Sequence, residues 1–96
     1  MTSDREAVEI KISGRVQGVG FRYFTYQAAL HSHVHGWVKN MADGSVLIRV
    51  AGAPEKVEEF RQKVRRGPTF GKVDQFEETP LSHADGNQLF DFCISY

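Results

Sequence analysis

The sequence predicts an α+β fold, a ferredoxin-like split βαβ sandwich in which an antiparallel sheet carries two helices on one face. Three observations lead there. Two stretches with helical spacing each lie between strand-like segments, in the order strand, helix, strand, strand, helix, strand, with a further strand at the end. The apolar residues of most of those segments alternate, so each strand has one buried and one wet face. A chain of 96 residues is enough for one modest core.

Residues 1–6 are polar and are expected to form a tail, leaving 7–96 as a single domain. Val8, Ile10 and Ile12 then alternate with Glu9, Lys11 and Ser13 as a first strand. The stretch GRVQGVGFR at 14–22 follows, with three glycines ahead of an aromatic and an arginine. Residues 21–32, FRYFTYQAALHS, lack Gly and Pro and place Phe21, Phe24 and Ala28 on one helical face. After Gly36, WVKNM opens a second strand, and Asp43-Gly44 signals a two-residue hairpin of the mirror-turn kind. Residues 45–51 are the third strand, with Val46, Ile48 and Val50 on one face.

The second helix starts at Pro54, carries Glu55, Glu58 and Glu59 early and Arg61, Lys63, Arg65 and Arg66 late, and stops at Gly67-Pro68. Val57, Phe60 and Val64 form its buried stripe. Its basic residues complement the helix dipole and face solvent, so they are not read as a phosphate patch. Phe70 to Thr79 is a fourth strand, in which the three-residue step from Val73 to Phe76 indicates a bulge. Pro80 to Gln88 reads as a polar loop, and FDFCISY closes the chain with Phe90, Phe92, Ile94 and Tyr96 alternating. Within it Cys93 is expected to be a small buried filler.

Lys+Arg and Asp+Glu both number 12, so no overall basic field favours nucleic acid or an anionic membrane. The single cysteine excludes an internal disulfide, and the N-terminus has no apolar run to target or anchor the chain. The expectation is a cytoplasmic monomer with neither nucleic acid nor membrane as partner.

Element order alone brings distant residues together. The first and second strands run parallel with the third between them, so the loop at 14–20 and Arg22 share a sheet edge with Asn40. Backbone N–H groups converge there with a helix N-terminus, which favours negative charge. Arg22 in the first helical turn opposes that dipole unless an anion sits between, and its planar fork suits phosphoryl oxygens. Strand parity puts Asn40 on the same face as Val38, where a polar amide needs a partner. The same residues also read as a glycine-rich turn with a solvated arginine, and Asn40 as a strand-end amide bonding a nearby turn. G-x-x-x-x-G-K-[ST] and G-x-G-x-x-G are both absent.

GRVQGVGFR followed by GWVKNMADGSV, with GAPEKVEEF, RRGP and FCISY in their places, resembles the acylphosphatase family over about residues 7–96. The resemblance implies hydrolysis of a small acyl phosphate to a carboxylate and inorganic phosphate, without metal, cofactor or covalent intermediate. It implies that Gln17, Gly18, Val19, Gly20, Phe21 and Arg22 bind the phosphate, largely through main-chain N–H groups. Arg22 grips the phosphoryl oxygens, Asn40 orients the attacking water, and phosphate or sulfate compete as anions. Two departures from the family pattern stand out: His33 occupies a position often held by Gly after the first helix, and Gly71 replaces a usual Ala. The first is expected to strain the helix end, the second to loosen the fourth strand.

Other readings are weaker. His31, His33 and His35 form H-x-H-x-H, but the segment spans a helix end and a connection, so surface histidines are expected rather than a metal site. RNA-binding modules of the same element order need exposed aromatics on the first and third strands, where this chain offers Glu9, Lys11, Leu47 and Arg49. Trp37 and the phenylalanines are expected in the core. A non-catalytic regulatory domain that binds a small anion with the same loop is an alternative, and the acylphosphatase-like module of a hydrogenase-maturation carbamoyltransferase is a weaker one.

Overall fold

A computed structural model describes residues 5–96. Its elements are β1 (Glu6–Arg15), α1 (Phe21–Ser32), β2 (His35–Asn40), β3 (Val46–Gly52), α2 (Pro54–Arg66), β4 (Lys72–Pro80), a single turn α3 (His83–Gly86) and β5 (Phe92–Ser95). The five strands form one sheet in the order β4-β1-β3-β2-β5. β1 and β2 both pair antiparallel with β3 and therefore run parallel to each other, as element order requires.

The alternating residues do what their spacing indicates. Val8, Ile10 and Ile12 of β1, Val38 of β2 and Val46, Ile48 and Val50 of β3 are buried in one apolar layer. Phe21, Ala28 and Ala29 of α1 and Val57, Phe60 and Val64 of α2 close over it. Each large side chain so buried stabilises the fold by about 1.5–3 kcal/mol relative to exposure. Phe24 is only half-buried, lying edge-on to Phe21 with ring centroids 5.9 Å apart.

The basic residues of α2 are held by the protein itself. Arg61 binds both carboxylate oxygens of Glu78 at 2.6 and 2.9 Å and also reaches Glu58 and Glu6. This ties α2 to β4 and β1 and raises the Arg61 pKa further, chiefly through the bond to Glu78. Lys63 pairs with Glu59, and Arg65 lies 4.3 Å from the centroid of the Phe76 ring.

Several expectations are corrected. The hairpin loop is longer than two residues, since Met41 and Ser45 form its closing pair and Gly44 N–H donates to Met41 O. Only Gly44 has a positive φ, 92°. Asp43 stays in an ordinary conformation because its carboxylate accepts from Ser45 N–H at 2.9 Å and from Ser45 Oγ at 2.6 Å. The sheet is mixed, because β5 pairs parallel with β2. Cys93 is exposed, since Phe92 and Ile94 take the core side of β5 and parity turns Cys93 outward. Phe90 lies before that strand and Tyr96 after it, and they are 74% and 91% exposed. Trp37 likewise faces away from the core beside Val38, with Arg49 over its ring.

The loop at 80–88 contains α3, whose Ser82 Oγ accepts from Asp85 N–H, a local capping signal visible in Ser-x-x-Asp. The fourth strand begins at Lys72, and its register against β1 shifts so that Gly14 faces Val73 and Ser13 faces Gln75, leaving Asp74 as the bulge. Gly71 does not leave the turn slack: a Cβ there would lie 3.1 Å from Pro68 Cγ and 3.2 Å from Arg15 O. His33 adopts the left-handed conformation expected of it, with φ 56°. Of the polar tail, residues 1–4 lie outside the described residues. Glu6 already belongs to β1, and Arg5 donates to Leu89 O at 2.9 Å. No helix among the described residues is long and apolar enough to cross a membrane.

Candidate active site

Three elements meet at one end of the sheet: the loop from β1 to α1, the end of β2, and β5. Gly18 and Gly20 carry φ values of 75° and 78°, which side chains disfavour. Those two positions curl the main chain toward the start of α1. Gly20 is the N-cap of that helix, with no side-chain cap and no acidic residue in the first turn. No backbone carbonyl of the described residues accepts from the N–H groups of residues 17–23. The positive end of the α1 dipole is thus left uncompensated.

A recess of about 270 Å³ opens there, lined by Val16, Gly18, Gly20, Phe21, Arg22, Tyr23, Asn40, Ile94 and Tyr96. Arg22 makes no ion pair among the described residues. Its Nη1 donates a long 3.4 Å bond to Ser95 O, and its guanidinium lies 4.7 Å from the centroid of the Tyr96 ring. Asn40 comes from the last position of β2, and its buried Oδ1 has no hydrogen-bond partner among the described residues. Bare N–H groups, an unpaired guanidinium and an unmet amide oxygen therefore share one cavity.

Of the residues singled out from sequence, Gly18, Gly20, Phe21, Arg22 and Asn40 line this recess. Gln17 and Val19 do not. The Gln17 side chain turns to Met41 O and Ser45 O, and Val19 packs against the core. Tyr23, Ile94 and Tyr96 were not anticipated as lining residues. Tyr23 could have been noticed as the neighbour of Arg22, whereas Ile94 and Tyr96 arrive only because β5 docks beside β2.

The three imidazoles sit apart from this place: His31 in the last turn of α1, His33 at its cap and His35 at the start of β2, all exposed. Among the described residues no three His, Cys, Asp or Glu side chains are grouped to hold a metal ion. On β1 and β3, Glu9 and Arg49 pair at 2.9 Å and neither strand presents an aromatic.

A split βαβ sandwich whose helix N-terminus, glycine loop and arginine enclose one small cavity defines a domain suited to a small anion. Comparison with known proteins is more specific. The acylphosphatase family model matches residues 8–92. An acylphosphatase of Oceanobacillus iheyensis is 43% identical over 90 residues, covering 93% of this chain and 97% of that protein. One from Rhizobium etli is 48% identical over 77 residues, covering 80% and 82%. The crystal structure of acylphosphatase from Bacillus subtilis superposes with a TM-score of 0.87 at 38% identity, covering 94% and 98%.

The chain belongs to the acylphosphatase family. Its relatives support an acylphosphatase activity, with a small acyl phosphate as substrate and phosphate as a bound group. Nothing among these findings supports the non-catalytic alternative.

Proposed function

We propose that the recess is the catalytic centre, that the N–H groups of residues 17–22 and Arg22 hold the phosphoryl group, and that Asn40 orients the attacking water. The observation that carries this reading is the buried, unpartnered Asn40 Oδ1 in the same cavity as the unpaired Arg22. A buried carbonyl oxygen without a partner costs about 1–3 kcal/mol, and a water donating to it removes that cost. Such a water sits beside the phosphorus on a wall that the protein has already fixed.

The chemistry asks little more. The carboxylate of an acyl phosphate leaves readily, so no strong acid is needed. Water attacks phosphorus, the P–O bond to the acyl oxygen breaks, and that electron pair departs with the carboxylate. No side chain in the recess is placed as a base, so a phosphoryl oxygen takes the water's proton. Catalysis is then positioning plus fixed positive charge on the equatorial oxygens, supplied by N–H groups and the guanidinium. No step of this proposed reaction is routed through a metal or cofactor. The even charge balance provides no overall field for nucleic acid or an anionic membrane, and the protein is proposed to act as a cytoplasmic monomer on a small molecule.

Benzoyl phosphate hydrolysis tests this. The wild type should turn over and be inhibited competitively by inorganic phosphate. Asn40→Ala should lose about 10²–10³ in turnover, the usual cost of removing one preorganised polar group from such a site. An Asn40→Ala variant as fast as wild type overturns the assignment.

A further inference from the structure

We infer that Gln17 is a positioning residue, whose side chain fixes the glycine loop against the β2–β3 turn and so sets the reach from the phosphoryl group to Asn40. The inference rests on the assignment of Arg22 and Asn40 proposed above. Gln17 Nε2 donates to Met41 O and to Ser45 O, each at 2.8 Å, across 24 and 28 residues of sequence. Both hydrogens of the amide nitrogen are used, so this group cannot also donate to a phosphoryl oxygen without releasing a carbonyl.

The two acceptors lie at an informative place. Met41 follows Asn40 directly, and Met41 N–H itself donates to Ser45 O at 2.8 Å, so the clamp grips the closing pair of the turn. That turn is braced from the other side. Asp43 accepts from Ser45 N–H and Oγ, and its second oxygen lies 3.2 Å from Lys11 Nζ on β1. Asn40 therefore stands on a strand end held firmly in the sheet.

The loop is less firmly held. Between Arg15, the last residue of β1, and the first α1 bond from Phe24 N–H to Gly20 O, its N–H groups from residue 17 onward have no backbone acceptor among the described residues. Burial of Val16 and the packing of Val19 hold its apolar side. The Gln17 amide is its polar link to the turn behind Asn40. A phosphoryl group seated in the loop meets the water on Asn40 in line only while that link keeps the spacing, and a misplacement of about 1 Å can cost on the order of 10²-fold in rate.

The test uses Gln17→Met, which keeps length but has no donor, and Gln17→Asn, which keeps the donor but is one methylene too short to reach both carbonyls. Each is assayed on benzoyl phosphate below its own melting temperature, alone and with Asn40→Ala. We expect kcat to fall about 10- to 100-fold in both variants while the phosphate inhibition constant stays within about threefold. In the Asn40→Ala background the Gln17 substitution should cost almost nothing more, because it acts through that residue. Should Gln17→Met not fold, Gln17→Asn carries the same expectation. Unchanged kcat in the folded variants refutes the inference, as does a phosphate inhibition constant that rises with the loss of kcat/KM, or an undiminished loss in the Asn40→Ala background. An active Asn40→Ala enzyme defeats the site assignment itself, whereas an inactive one beside fully active Gln17 variants defeats the clamp alone.

Discussion

Arg22→Ala should separate activity from stability. In the free protein the guanidinium does little for the fold. Its one hydrogen bond among the described residues is 3.4 Å long, beyond the usual N–H···O range, and contributes at most about 0.5 kcal/mol. The contact with Tyr96, 4.7 Å from the ring centroid and on a residue 91% exposed, adds about 0.5–1 kcal/mol. Against these, a cation in the first turn of α1 opposes the helix dipole by about 0.3–1 kcal/mol, which Ala relieves. The net change in stability is about 1 kcal/mol or less, a Tm shift of no more than about 4–8 °C for a domain of this size. On the assignment proposed above, the cost to catalysis should be much larger. Losing one preorganised donor at a developing charge takes away about 2.7–4 kcal/mol of transition-state stabilisation, about 10²–10³ in turnover. Hydrolysis of benzoyl phosphate, followed beside a thermal melt of the same sample, reads both quantities. Turnover within about tenfold of wild type, or a loss that merely tracks unfolding, refutes the reasoning.

Three further substitutions, one of them again at Arg22, have outcomes that the structure dictates. Arg22→Lys keeps the charge but loses the planar fork, so its turnover should fall between those of wild type and Arg22→Ala. His33→Gly relieves a left-handed cap, worth about 1–2 kcal/mol for an ordinary residue, less about 0.4–1 kcal/mol of unfolded-chain entropy, so Tm should rise by several degrees with kcat unchanged. Asp43 has its pKa lowered from 3.8 to about 2 by hydrogen bonds from the Ser45 hydroxyl and N–H, with Lys11 assisting. A folded pKa below the unfolded one means stability present above pH 3.8 and lost as pH falls toward about 2. Urea unfolding of wild type and Asp43→Asn should therefore converge over that interval, and a gap independent of pH contradicts the assignment.

How much of this was legible from sequence depends on whether the deciding interaction was local. α1 and α2 run over the residues expected because their stops and stripes are local: Pro54 and Gly67 bracket one helix, and Val57, Phe60 and Val64 bury its face. The bulge at Asp74 was visible as a broken alternation between Val73 and Phe76. The edge-sharing of Arg22 and Asn40 follows from element order, which is why the two residues can be placed side by side without any geometry. The failures were of another kind. Alternation in FDFCISY runs past the four residues that pair with β2, so Phe90 and Tyr96 look like core and are not. Cys93 reads as core from its place in an alternating segment, although its own parity, opposite to Phe92 and Ile94, turns it outward. Asp43-Gly44 shows a turn, but the preference of the Asp43 carboxylate for Ser45 lengthens the loop beyond two residues. Gln17 sits visibly in the loop, yet no spacing rule says that its amide crosses to Met41 and Ser45.

A crystal grown with inorganic phosphate would test the central claim most directly. One anion should lie against the N–H groups of residues 17–22, with both ends of the Arg22 fork on its oxygens and an ordered water between it and Asn40 Oδ1. Phosphate bound at another place on the molecule, with Arg22 still resting on Tyr96 and Asn40 facing no water, would contradict it.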